Sequence, residues 1–205
     1  MKALITRKLG MTSTISEDGV VQAITLLSVS DHTVLQHKTV EKDGYVAVQV
    51  GAEVAKKVSK PMAGHLKAAK TKAMPKIIRE VRLEEIPEEL TVGATFAADV
   101  FDVGDTVHVT GLTKGKGWAG TIRRHNFHRG RKTHGGQSYR RPGSIGSMYP
   151  QRIFKGTRMA GQLGHDQITV RNLKVALVDM ENNVIGITGA VPGPRKGILI
   201  VKAAK

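Results

Sequence analysis

The chain has 205 residues, 32 Lys and Arg against 17 Asp and Glu for a formal charge of +15, and no cysteine. That length holds one large domain or a medium one with insertions, and the lack of cysteine excludes a disulfide framework and a thiolate zinc site. No run of 18 apolar residues occurs and the apolar stretch near Met1 is too short for a signal-peptide core, so a soluble, non-secreted protein of the reducing cytoplasm is expected.

The N-terminal flank reads as β-structure. A strand near Leu4 to Leu9 is expected to form a hairpin with Val20 to Val29 through the turn signal Glu17-Asp18-Gly19. In Tyr45 to Val50, the residues Val46, Val48 and Val50 share one face at period two, which predicts a strand of a barrel or sandwich. Lys56 to Ala73 then places six lysines among small residues, with Pro61 and Gly64 early and Pro75 and Pro87 beyond. This predicts an insertion over about residues 56–90 with one short helix around Gly64 to Ala73. Its lysines fit a second RNA contact or a plain solvated helix surface.

Thr106 to Thr110 repeats the period-two pattern with Val107 and Val109. Further along, strands are predicted at Ile168 to Val170, at Val175 to Val178, at Val184 to Thr188 after the turn Glu181-Asn182-Asn183, and at Ile198 to Val201. Short strands with frequent turns, and no helical stretches for parallel crossovers, favour a mainly β fold built on a small β-barrel. The expected domains are a barrel from residues 1–111 and 166–205 and a long, irregular basic loop over 112–165.

That loop is the most informative part of the chain. The sixty residues between Asp105 and Asp166 hold no carboxylate, but carry twelve Lys or Arg, twelve Gly and five of the eight Phe, Trp and Tyr. The rest of the chain sets 20 Lys and Arg against 17 acids, so the segment holds +12 of the +15. Such a stretch repels itself, its glycines exclude a long stable helix, and a polyanion is needed to order it. Clustered cations with interleaved rings are the footprint of a nucleic-acid binder, the rings offering flat faces to unstacked bases. The candidate contacts are Lys114, Lys116, Trp118, Arg123, Arg124, His125, Phe127, His128, Arg129, Arg131, Lys132, His134, Tyr139, Arg140, Arg141, Arg152, Phe154, Lys155 and Arg158. If residues 112–165 run out and back, each leg could reach at most roughly 80 to 90 Å, with Ser144 to Arg152 near the middle of the path.

Two enzyme-like patterns fail on context. Gly115-Lys116-Gly117-Trp118-Ala119-Gly120 matches G-x-G-x-x-G, yet Thr121 to Lys132 is basic and broken by Gly130, and no acid for a ribose appears before Asp166. His125, His128 and His134 crowd together, but without a carboxylate they suit phosphate or base contacts better than a metal site. A non-catalytic RNA binder with no cofactor, metal or small-molecule substrate, and no membrane partner, is therefore expected. The rival readings are an RNA-cleaving phosphodiesterase using those histidines and a DNA-binding architectural protein.

Lys8-Leu9-Gly10-Met11-Thr12, the run Gly111 to Gly120, Pro142-Gly143-Ser144-Ile145-Gly146, Phe154-Lys155-Gly156 with Met159-Ala160-Gly161-Gln162, and Gly189-Ala190-Val191-Pro192-Gly193 together resemble ribosomal protein three of the bacterial large subunit. The resemblance spans nearly the whole chain in the family's order. It implies a translation-protein-like β-barrel, 23S rRNA and neighbouring large-subunit proteins as partners, and a role early in subunit assembly. It also implies a loop tip near the peptidyl-transferase centre, here Ser144, Ser147, Met148, Tyr149 and Gln151. Two departures stand out. Trp118 replaces a frequent Phe and keeps a stacking ring, whereas the glutamine that some relatives methylate two residues before the proline is Met148 here, and Gln151 is out of register.

Overall fold

The computed structural model describes residues 2–16, 19–67, 69, 74–88 and 90–204. In it the valine- and isoleucine-rich runs form antiparallel strands: β1 (Ala3–Ile15), β2 (Val21–Val29), β3 (His32–Lys38), β4 (Ala47–Val54), β5 (Pro75–Arg82), β6 (Thr95–Phe96), β7 (Thr106–Leu112), β8 (Trp118–Ala119), β9 (Gly161–Gln162), β10 (Gln167–Asp179), β11 (Val184–Thr188) and β12 (Ile198–Ala203). The helices are short: α1 (Val40–Asp43), α2 (Lys60–Lys67) and α3 (Thr121–His125). The chain divides into two compact units, residues 1–112 with 167–205, and residues 113–166.

In the first unit, six strands close into a barrel in the order β1-β12-β7-β10-β11-β2. Leu4, Leu27, Val107, Val109, Ile185, Ile187, Leu199 and Val201 fill its interior, each at most 1% exposed. Beside the barrel lies a second sheet in the order β5-β4-β3-β6 with its own cluster of Val34, Val48, Val50, Ala52 and Ile77. The first strand serves both cores. Leu4 enters the barrel cluster while Ile5 enters the second one, which explains why the chain opens on an unbroken apolar run and not an alternating one.

His32, at the start of β3, ties the two sheets together. It is fully buried, its Nε2 accepts a 2.7 Å hydrogen bond from the Ile5 N–H, and its ring stacks on Phe96 at 5.2 Å. An acceptor Nε2 means a neutral ring, and burial holds the imidazole below the usual histidine range. Arg7 adds a paired guanidinium–carboxylate contact to Glu53 across the same junction.

Several sequence expectations need correction. Tyr45 to Val50 does contribute a strand, but β4 belongs to the second sheet and not to the barrel. The excursion between barrel strands is also far larger than residues 56–90, because β3 to β6 all lie outside the ring. β3 shows no period of two because it is buried on both faces: Val34 enters the cluster of the second sheet, while Leu35 packs with Leu66 and Ala69. Ile168 to Val170 and Val175 to Val178 are parts of one strand, β10, interrupted by an irregularity between Val170 and Leu173. α2 starts at Lys60 and not near Gly64, since Pro61 falls in its first turn, where a missing N–H costs nothing. The rest of the expected helix, residues 68 and 70–73, lies outside the described residues, as do Glu17 and Asp18 of the predicted hairpin turn.

Candidate nucleic-acid interface

Residues 113–166 are held together at a stem and are open beyond it. At the stem, Thr113 N–H donates to the Asp166 carbonyl at 2.9 Å, Lys116 N–H to the Leu163 carbonyl at 2.9 Å, and Leu163 N–H to the Gly117 carbonyl at 3.0 Å. β8 and β9 then pair through Trp118 with Gln162 and Ala119 with Gly161. Ala119, Thr121 and Gly161 are the buried residues of this unit. Gly164 is needed where it stands: its φ is +75°, and a Cβ would collide with the Lys114 carbonyl.

The next turn clamps the returning chain. α3 starts from Gly120 and stops at Asn126, which takes the left-handed conformation at φ 58°. This short helix aims two predicted contacts back into the protein. Arg124 Nη1 donates to the Met159 carbonyl at 2.8 Å, and His125 Nε2 donates to the same oxygen at 3.1 Å. Phe127 is half-buried and tilted against the His125 ring at 6.1 Å. Arg124 and His125 are thus stem fasteners, whereas Arg123 on the same helix is exposed and makes no such bond among the described residues. Charge alone could not separate them, since the carbonyl they grip lies 34 residues or more along the chain.

Beyond the stem, regular structure ends at residue 125 and resumes at Gly161. Tyr139 organises one turn: Gly130 N–H donates to its carbonyl at 3.0 Å, Arg129 Nη1 donates to its hydroxyl at 3.0 Å, and the Arg129 and Lys132 cations lie 5.8 and 5.4 Å from its ring centre. His128, Arg131, His134, Arg140, Arg141 and Arg158 are exposed. So are Lys114, Lys116 and Trp118 nearer the stem, the indole at 78%.

The expected tip residues share this openness. Met148 is 88% and Tyr149 86% exposed, Ser147 and Gln151 are exposed, and Ser144 Oγ donates to the Gly146 carbonyl at 2.8 Å. Arg152, Ile153, Phe154 and Lys155 line a hollow of about 500 Å³, to which they contribute one aromatic ring and two cations. Ile145 and Ile153, 44% and 47% exposed, are apolar surface that a search by charge and ring passes over.

All twelve Lys and Arg of this unit are exposed, and its single acid is Asp166. Among the described residues the carboxylate ion pairs of Lys2, Arg7, Lys38 and Lys76 all lie in the first unit. Also among the described residues, no three His, Asp or Glu gather as a metal site, and no helix is long and apolar enough to cross a membrane. The surface is therefore a field of exposed cations and open rings with Asp166 as the one carboxylate in the unit.

The sequence signature described as ribosomal protein L3 matches residues 21–183. The chain belongs to the ribosomal protein L3 family. Relatives agree with that assignment along nearly their full length. The large ribosomal subunit protein uL3 of Heliobacterium modesticaldum is 46% identical over 205 residues, covering 99% of this chain and 97% of its own. Those of Pelotomaculum thermopropionicum and Geobacillus sp. strain WCH70 are 44% and 46% identical at the same 99% coverage of this chain, with 97% and 96% of their own lengths matched. Members of this L3 family are structural proteins and not enzymes, so the histidine-based phosphodiesterase reading is set aside.

Proposed function

We propose that this protein is a structural component of the large ribosomal subunit that binds 23S rRNA through residues 113–166 and acts early in subunit assembly. The observation that carries the reading is the set of twelve exposed cations with one acid in the whole unit. Cations that lack a carboxylate partner lose little on meeting phosphates, and the counterions they release favour binding. Arg123, Arg129, Arg131, Lys132, Arg140, Arg141, Lys155 and Arg158 serve as phosphate contacts, which position the protein without reading sequence. Trp118, Phe154 and Tyr149 offer faces for unstacked bases. The protein works in the cytoplasm, within the ribosome, beside other large-subunit proteins.

The segment Ser144 to Gln151 is the part we assign to the neighbourhood of the peptidyl-transferase centre. Its side chains support no core, as the exposure of Met148 and Tyr149 shows, so they are free for an external contact. The chain has no cysteine, so Met148→Cys gives a single attachment point for an iron chelate. In reconstituted large subunits, hydroxyl radicals from that point should cut 23S rRNA around the peptidyl-transferase centre. Cuts confined to other regions of the rRNA would overturn the placement of the tip, and failure of the chain to enter the subunit would overturn the whole reading.

A further inference from the structure

Residues 54–79 form a second stretch without a carboxylate, with eight Lys or Arg and no Asp or Glu. The rest of the first unit sets 12 Lys or Arg against 16 Asp or Glu, so the positive charge of that unit is concentrated here. Lys70 and Lys72 lie outside the described residues, and the other six, Lys56, Lys57, Lys60, Lys67, Lys76 and Arg79, are all exposed. Lys76 meets a carboxylate only at 4.0 Å, that of Glu53, which the Arg7 guanidinium already holds.

The fold gathers part of this charge around a groove. Lys57 and Ser59 leading into α2, Met62 in its first turn, and Lys76, Ile77 and Arg79 of β5 line a hollow of about 510 Å³. β5 is the edge strand of the second sheet, and all of residues 75–79 border the hollow. Successive side chains of a strand point to opposite faces, so a hollow bordered by five in a row wraps the open edge of the sheet. Its lining joins three cations to the apolar surface of Met62 and Ile77.

We infer that this groove seats the sugar–phosphate backbone of a base-paired RNA segment, a second RNA contact carried by the first unit. The inference rests on the functional reading above and adds a separate surface to it. Two features choose the occupant. Seven of the eight cations are Lys, a residue depleted from protein–protein interfaces, whereas nucleic-acid interfaces are strongly positive. Residues 54–79 also contain no Phe, Trp or Tyr, while residues 113–166 carry five. Unstacked bases therefore find no ring to stack on here. Paired RNA keeps its bases inside and offers phosphates and 2′-hydroxyls, which point charges such as Lys hold by shape and charge without reading sequence.

An azidophenacyl group placed by Ser59→Cys, in the full chain within isolated large subunits, tests this. The control is the same group at the exposed Glu85→Cys, in a run that holds four Glu over residues 84–89. Irradiation should join Ser59→Cys to base-paired nucleotides of 23S rRNA with at least about five times the yield from Glu85→Cys. Lys57→Gln, Lys76→Gln and Arg79→Gln together should lower that RNA adduct at least about threefold, because three phosphate contacts are removed. The Ser59→Cys chain alone still decides the matter if the triple variant fails to fold. Adducts mainly to a subunit protein, adducts mainly to unpaired nucleotides, equal yields from the two positions, no adduct, or an RNA yield that survives the triple substitution would each overturn the inference. Absence of the labelled chain from the subunit fraction would instead show that the functional reading beneath it has failed, and the inference with it.

Discussion

The Arg124 guanidinium and the Met159 carbonyl, joined at 2.8 Å, close the neck of the basic unit. A Cβ at Gly161 would stand 2.7 Å from the same Nη1, so the returning strand has been kept bare to let the guanidinium lie against it. One cation of the twelve thus organises the unit that displays the others. Arg124→Ala should weaken the stem by about 1 kcal/mol, as for a charged hydrogen bond partly exposed to water. Hydrogen exchange at Lys116 and Leu163 should then speed up about fivefold, while Arg123→Ala leaves it unchanged and lowers the salt slope of RNA binding by about 1.

Gly164→Ala should be more damaging than its surface position suggests. The new methyl meets the Lys114 carbonyl, and the φ of +75° disfavours any side chain, a combined cost of about 2 kcal/mol or more. Loss of protection at Thr113 and Lys116, with Val109 of the barrel unaffected, is the expected exchange pattern.

His32 predicts a pH dependence in the first unit. Its folded pKa lies below the unfolded value because burial disfavours the charged ring, so in the window below about pH 6.5 the unfolded chain binds more protons. Stability is complete above that window and falls as pH drops through it. Protonation also forfeits the acceptor for the Ile5 N–H. A comparison of denaturant midpoints at pH 7.5 and 5.5 should show a smaller difference for His32→Gln than for the natural chain. Asp43 and Asp105, lowered by hydrogen bonds from Lys38 and Lys2, act only in the more acid range, where their stabilisation is lost as the carboxylates protonate.

Substitutions at the tip should separate folding from function. Met148→Ala and Tyr149→Ala remove side chains that are 88% and 86% exposed, so unfolding midpoints should move by less than the equivalent of about 0.5 kcal/mol. Peptidyl-transfer rates in subunits carrying them should change, with subunit yield preserved. Lost subunit yield with normal transfer would reverse the roles given to tip and stem.

The barrel was legible in the sequence wherever a strand keeps one face in the core. Thr106 to Leu112 and Val184 to Thr188 show this, with Val107, Val109, Ile185 and Ile187 spaced by two. Legibility failed at β3, where Val34 and Leu35 enter different clusters and burial on both faces erases the alternation, whereas β1 was legible as a strand but not as one that serves two cores. In the basic unit, composition located the exposed cations but could not identify Arg124 and His125 as fasteners. Their partner is a backbone carbonyl, which every residue possesses and no sequence pattern marks.

The salt dependence of 23S rRNA binding tests the central claim most directly. With about eight phosphates neutralised, the slope of log affinity against log salt should be on the order of −6 to −7 for the natural chain. Replacing Arg129, Arg131, Lys132, Arg140, Arg141 and Lys155 by Gln spares the stem clamp and should make the slope shallower by about 4 to 5. A slope that stays the same after all six are removed would contradict the claim that residues 113–166 are the RNA-binding surface.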